Sequence, residues 1–227
     1  MARFIMKRLD FISTKPLLSK AILLWIIITV FSCNHKNKSS KTPPNSKVNR
    51  NSILSHFQLK SGDIVFRKGL SIESQAVLLA DEDANYSHVG IVYIKNEQIY
   101  VIHITPDSLR ETTDYAKLEK LQDFFAIENA SRACVMRINP KYEQNAQNAA
   151  DTAFLYYKNK VYFDEQYDLK SFGAMYCTEI VWHAYKANNI NLIDINSDPK
   201  SIPFFKNRII FPSSLYKCEL LNKIYYF

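Results

Sequence analysis

Residues 87–105 constrain the fold more than any other stretch of this chain. Two β-rich runs, Ser87 to Lys95 and Gln98 to Thr105, are separated only by Asn96-Glu97. Such runs around a two-residue turn form an antiparallel hairpin. If Lys95 opposes Gln98, then His88 opposes Thr105 and Gly90 opposes His103. Pairing preserves the face of a sheet, so all four residues point to one side. His88 and His103 become diagonal neighbours about 7–8 Å apart at Cα, near enough for their imidazoles to meet. Gly90 has no side chain to stand beside His88. Its position either leaves room for a ligand or another backbone, or marks a bulge.

A second feature is Tyr176-Cys177-Thr178-Glu179-Ile180-Val181-Trp182, within a helix expected from near Gly173 to Lys186 and closed by Asn188-Asn189. Cys177, Ile180, Val181 and Ala184 share one face. Cys177 falls in the first turns, where unpaired N–H groups and the helix dipole favour thiolate, and a nearby imidazole would add to that. Its backbone N–H is a natural oxyanion donor. The residues together suggest a cysteine hydrolase: Cys177 attacks an acyl carbon, His88 takes and returns the proton, and His103 orients His88. Glu179 lies about 200° around the helix from Cys177 and should not touch the thiol. Two histidines and a cysteine would also serve as three zinc ligands, but no close Cys/His spacing supports a metal site, and no cofactor is expected. His56 and His183 read as ordinary structural residues.

The other elements are a turn and strand over Leu59 to Phe66, a short helix from Gln75 to Ala80, and helical spacing from Tyr115 to Phe125. A strand over Arg132 to Ile138 precedes a helix opened by Asn139-Pro140 and running to about Tyr157. A Tyr- and Asp-rich loop spans 158–172, and Phe211-Pro212 turns into a short helix. Strands and helices in unalternating order indicate an α+β domain over residues 53–227.

Charge says where that domain sits. The formal net charge is +7, but residues 1–32 contribute +4 and 33–52 contribute +5, leaving −2 for the body. Nucleic-acid binding therefore loses its charge argument. Residues 1–32 read as a signal peptide: basic residues precede an apolar run, Ala21 to Phe31, whose rise of about 16 Å is half a hydrocarbon core. An uncleaved anchor is the alternative. Val30-Phe31-Ser32-Cys33 resembles the lipobox of bacterial lipoproteins, which implies cleavage before Cys33, lipidation there and attachment to the cell envelope outside the cytoplasm. Residues 33–52 carry that Cys33 and form a basic, proline-punctuated tether with a reach of about 25 Å. A Cys134–Cys218 bridge would leave Cys177 free, a pairing the sequence does not establish.

The ordered motifs Gly62-Asp63-Ile64-Val65-Phe66, Tyr86-Ser87-His88-Val89-Gly90-Ile91-Val92, Tyr167-Asp168 and Tyr176-Cys177-Thr178-Glu179-Ile180-Val181 resemble the permuted NlpC-type papain-like amidases of the YiiX/YaeF-like family. The resemblance covers about residues 59–216. It implies a permuted papain-like fold, a small antiparallel barrel-like sheet packed on the cysteine-bearing helix. It implies thiol amidase or peptidase activity with Cys177 and His88 as catalytic positions. The third position, often glutamate in the family, falls on His103, which lacks a carboxylate's charge. By the same resemblance Tyr86, Tyr167 and Asp168 lie near the cleft, with Tyr86 offering its phenol to the oxyanion. Asp63 also matches a family position near the cleft, but from the residues themselves the preferred readings are structural, Asp63 as a turn residue and Asp168 as a loop cap. The expected partner is an amide- or acyl-containing small molecule or a cell-wall peptide, with the membrane engaged through the lipid. A thiol acyltransferase or lipid-acyl hydrolase, and a non-catalytic binding module, are the alternatives.

Overall fold

The hairpin forms in the expected register. The computed structural model describes residues 58–106, 114–171, 173–203 and 205–227. The first strand, β1 (Ile64–Gly69), is followed by helix α1 (Ile72–Ala80), then β2 (His88–Lys95) and β3 (Gln98–His103). Lys95 pairs with Gln98 and the ladder runs without a shift to Ile91 opposite Ile102. Both turn residues are left-handed, Asn96 at φ 49° and Glu97 at φ 62°, the geometry that matches the twist of the flanking strands.

Strand β4 (Lys117–Lys120) leads into a single turn, α2 (Leu121–Phe124), and then β5 (Ala130–Ile138). Asn139 caps a short 3-10 turn at Pro140–Tyr142, which feeds α3 (Glu143–Lys158). Two-residue strands β6 (Tyr162–Phe163) and β7 (Ala174–Met175) pair in parallel just before α4 (Cys177–Lys186). Helix α5 (Pro212–Tyr216) and strand β8 (Leu221–Tyr226) complete the chain. The main sheet has six strands in the order β4-β3-β2-β1-β5-β8, every neighbour antiparallel.

Alternation builds a core on each face. Ile64, Phe66, Val89, Ile91 and Ile102 meet α3 and α4 on one side. Helix α3 presents Ala146, Ala149, Ala150 and Ala153, a small-residue stripe that lets it approach closely. On the other side Val65, Val92, Val101 and Val135 pack on Leu121, Phe124 and Phe125. Phe125, after α2, meets Phe227, after β8, at 5.7 Å between ring centroids. The sheet thus curls until residues near its two edges touch, barrel-like without closing its ladder. A one-residue slip of any central strand would exchange these two apolar sets, each side chain worth about 1.5–3 kcal/mol when buried.

Several expectations are revised. The Tyr115 to Phe125 segment is not one helix; most of it is the edge strand β4 and the turn α2. Pairing with β3 overrides the helical spacing of Leu118, Leu121 and Phe125. The cysteine helix begins at Cys177 rather than near Gly173, because Ala174 and Met175 are held in β7. Gly90 marks no bulge. A Cβ there would meet Val101 Cγ1 at 2.5 Å, the Ile102 carbonyl oxygen at 2.9 Å and His103 Cβ at 3.1 Å, so the neighbouring strand takes the space. Cys134, Cys177 and Cys218 are all free thiols. The signal segment 1–32 and the tether 33–52 with Cys33 lie outside the described residues. Among those described, no helix is long and apolar enough to cross a membrane.

Candidate active site

Cys177 is the first residue of α4, with Tyr176 as its N-cap. Two contacts fix that start. Glu179 Oε2 accepts the Tyr176 backbone N–H at 3.1 Å, and the Tyr176 hydroxyl accepts the Ile210 backbone N–H at 2.9 Å. Burial pushes the Glu179 carboxyl up to about 8. The carboxyl serves the helix start, not the thiol. Cys177 is half-buried, its Sγ 3.8 Å from Thr178 Oγ1. Burial pushes the thiol up, while hydrogen bonds from Thr178 and from the backbone N–H of Val89 pull the other way. Desolvation outweighs these hydrogen bonds, so the thiol is held above its ordinary value, opposite to the lowering expected from the helix start alone. Its partial exposure moderates that penalty.

The hairpin delivers the two imidazoles to each other. His88 Nε2 and His103 Nδ1 are 2.9 Å apart, both rings buried. Burial drives His88 well below the ordinary imidazole value, with the nearby Arg67 charge adding to the effect. His103 is also lowered by burial, against the pull of Glu119. The site therefore rests with neutral imidazoles. Phe124 roofs the pair, its ring centroid 5.7 Å from that of His88 and 5.2 Å from that of His103. The second nitrogen of His88, Nδ1, takes no part in that contact.

Sequence reasoning missed two residues here. Glu119 of β4 places Oε2 2.9 Å from His103 Nε2, a contact too bent for a well-formed hydrogen bond. Arg67, opposite His88 in the β1–β2 ladder, donates to the Phe124 carbonyl at 3.0 Å and stands 3.6 Å from Glu119. Burial would raise the Glu119 carboxyl, but His103, Arg67 and Lys117 hold it below the usual range. Glu119 is thus an ionised carboxylate. Reading 115–125 as a helix hid it. Arg67 lies at the end of a β-rich run, two residues from Gly69, and only the pairing partner identifies it.

Cys177 and His88 line one cavity of about 310 Å³ with Arg67, Ile104, Tyr167 and Tyr176. The thiol and His88 are not hydrogen-bonded to each other. Tyr167 reaches the cavity from a strained backbone, φ 51°, steadied where Asp164 accepts the N–H groups of Gln166 and Asp168 at 2.9 and 2.6 Å. Asp168 is a loop cap, its Oδ1 accepting the Lys170 N–H at 3.1 Å, and it does not line the cavity. Tyr86 also stays away. Its ring packs on Phe66 and Tyr216: Tyr86 lies before β2, outside the regular ladder, and its side chain turns to the helix-packed side while His88 faces Phe124. Asp63 is structural, its two carboxylate oxygens accepting from Arg137 Nε and Nη2 at 2.7 Å each.

A family model for permuted papain-like amidases, YaeF/YiiX, matches residues 58–225. Among solved structures, the metalloprotein yiiX from Escherichia coli O157:H7 matches with a TM-score of 0.58 and 22% identity, over 74% of this chain and 98% of that one. That likeness shows the fold. No curated protein matches. The neighbour is described as a metalloprotein, yet among the described residues here no three His, Cys, Asp or Glu side chains are grouped to hold a metal ion. His88 and His103 direct facing nitrogens at each other, which does not suit a metal. The histidine strand precedes the cysteine helix, and the matched region takes in both: the chain belongs to the YaeF/YiiX family of permuted papain-like amidases, a group of cysteine-type hydrolases.

Proposed function

We propose that the protein is a cysteine amidase or peptidase, with Cys177 as nucleophile, His88 as general base and acid, and His103 as the group that orients His88. One observation carries the reading: the His88–His103 bond uses Nε2, leaving Nδ1 as the proton acceptor in a cavity shared with Cys177. Substrate binding closes the distance between Sγ–H and Nδ1. The sulfur proton passes to Nδ1 as sulfur attacks the carbonyl carbon, forming a tetrahedral oxyanion. The backbone N–H of Cys177, the first of α4 and free of an intrahelical partner, is a built-in donor for that oxygen. His88 then returns the proton to the leaving amine, giving a thioester, which water attacks by the reverse relay.

The neutral resting pair sets the pH dependence. His88 loses its role as base only when pH falls through its lowered value, so the acid limb of kcat/KM lies below the ordinary imidazole range. The aromatic wall of Phe163, Tyr167 and Tyr176 opposite Arg67 suits an amide substrate with an apolar flank. In our reading Cys33 carries a lipid that holds the enzyme at the envelope, where cell-wall peptides are the nearest amide-rich material. Incubation with peptidoglycan peptides and, separately, with acyl lipids tests this. Amide cleavage abolished by Cys177→Ala supports the amidase. Acyl transfer or ester cleavage alone moves the assignment to the acyltransferase class. Loss of palmitate labelling in Cys33→Ala tests attachment.

A further inference from the structure

We propose that Glu119 is a positioning residue that sets the tautomers of both histidines, completing a Cys177–His88–His103–Glu119 relay; this rests on the nucleophile and base assigned above. An ionised carboxylate only accepts hydrogen bonds. His103 Nε2, 2.9 Å from Glu119 Oε2, must therefore carry the proton. Among the described residues neither atom has a well-formed hydrogen bond, both are buried, and at 2.9 Å each is the other's nearest polar contact, with Arg67 3.6 Å from the same carboxylate oxygen. A neutral imidazole protonated at Nε2 is bare at Nδ1. His103 Nδ1 is the atom facing His88 Nε2 at 2.9 Å, so His88 must donate from Nε2. That leaves His88 Nδ1 bare, the state in which it can take the Cys177 proton. One carboxylate thereby fixes two rings, and returns to the site the negative charge that a histidine in the third position lacks.

The surroundings serve the same end. Glu119 is reached from β4 because Val101 opposes it and Lys117 opposes His103, which puts both acid and imidazole at one sheet edge. Arg67 on β1, 3.6 Å from Glu119, and Lys117 on β4 are the other charged groups facing the relay, and both favour ionised Glu119. Lys117 is tethered to Thr105 Oγ1 at 3.3 Å. The Phe124 ring, with the Arg67 guanidinium 4.4 Å from its centroid, covers the group and excludes water. During acylation the proton moves from Sγ to His88 Nδ1 and no further. His103 and Glu119 stay in place, the carboxylate stabilising the imidazolium formed next to His103.

Two neutral variants separate tautomer control from a plain counter-charge for Arg67. Glu119→Gln keeps an acceptor oxygen for His103 Nε2 but loses the charge. Glu119→Met loses both. Long-range proton–nitrogen spectra of nitrogen-15 histidine-labelled protein report which ring nitrogen is protonated. In the wild type both His88 and His103 are expected protonated at Nε2. In Glu119→Gln that pattern persists, and in Glu119→Met both rings move to Nδ1–H. Acylation of Cys177 by p-nitrophenyl acetate should fall about 10- to 100-fold in Glu119→Met and less in Glu119→Gln. Two neutral variants that behave alike would assign Glu119 to charge balance only and overturn the proposal. His88 protonated at Nδ1 in the wild type overturns it without any variant, so a misfolded mutant does not shelter it. Cys177 acylation that depends on His88 but not on Glu119 refutes this inference alone. Acylation independent of Cys177 refutes the underlying site.

Discussion

The β2–β3 hairpin and the β4–α2 segment lie side by side in one sheet, yet only the first is legible from local sequence. In the hairpin, register follows from a two-residue turn, so pairing is a matter of counting. In residues 115–125, Leu118, Leu121 and Phe125 satisfy a helical period, and the Lys and Glu residues favour helix. Tertiary pairing with β3 decides otherwise. Strand β4 is an edge, where charged residues are common because they discourage further pairing. A site residue on an edge strand is therefore easily lost to a helical reading, and Glu119 is that residue.

The largest effect should come from the hairpin's closest contact. Gly90→Val places methyl groups beyond a Cβ that already meets the Ile102 carbonyl at 2.9 Å, and the β3 backbone cannot move without displacing His103. A loss of about 1–3 kcal/mol in urea unfolding is expected, with hydrolase activity falling alongside it. Unchanged stability would show that the strands are not in this register.

Next comes pH. The folded values of His88 and His103 are lowered, so the unfolded chain takes up protons first. Stability is complete above the ordinary imidazole range and is lost as pH falls through it toward the lowered folded values. Glu179 acts in the opposite direction: raised to about 8, it makes stability fall as pH climbs from the ordinary carboxylate range to that value. His88→Gln should flatten the acid-side slope and Glu179→Gln the alkaline one, both read from melting temperature against pH. A slope indifferent to both would contradict the burial of these groups.

Smaller effects sharpen the contrast. Glu97→Gly relieves a left-handed non-glycine residue in the turn, φ 62°, and should stabilise by about 0.5–1 kcal/mol. Lys120→Val exchanges an exposed residue at the end of β4 for a β-branched one. A strand gains up to about 0.5 kcal/mol from it, whereas a helix over the same residues would lose stability. The sign decides which structure residues 117–120 adopt.

How much was legible divides along the same line. His88 and His103 meet as counted, Cys177 opens its helix, and Asn139-Pro140 starts the turn ahead of α3. Tyr167 reaches the cavity, but through a left-handed backbone that Asp164 supports and no local pattern announces. Tyr86 stands two residues from His88, a spacing that shares one face in a regular strand, but β2 begins only at His88 and the chain before it turns Tyr86 to the other side. Arg67 and Glu119 needed the strand order β3-β2-β1 and the edge pairing, which are long-range facts. The resting charge state also resisted sequence reasoning, because the helix terminus is visible in the chain and the depth of burial is not.

The most direct test of the central claim is to trap the acyl-enzyme. Protein incubated with p-nitrophenyl acetate is quenched in acid and digested, and acyl adducts are located by mass spectrometry. The acyl group is expected on Cys177 and not on buried Cys134, whose thiol is pushed up to about 11, or on Cys218. His88→Ala should lower that labelling by at least about a hundredfold. Equal labelling of Cys218, or labelling of Cys177 unchanged by His88→Ala, would contradict the coupling of this thiol to this imidazole.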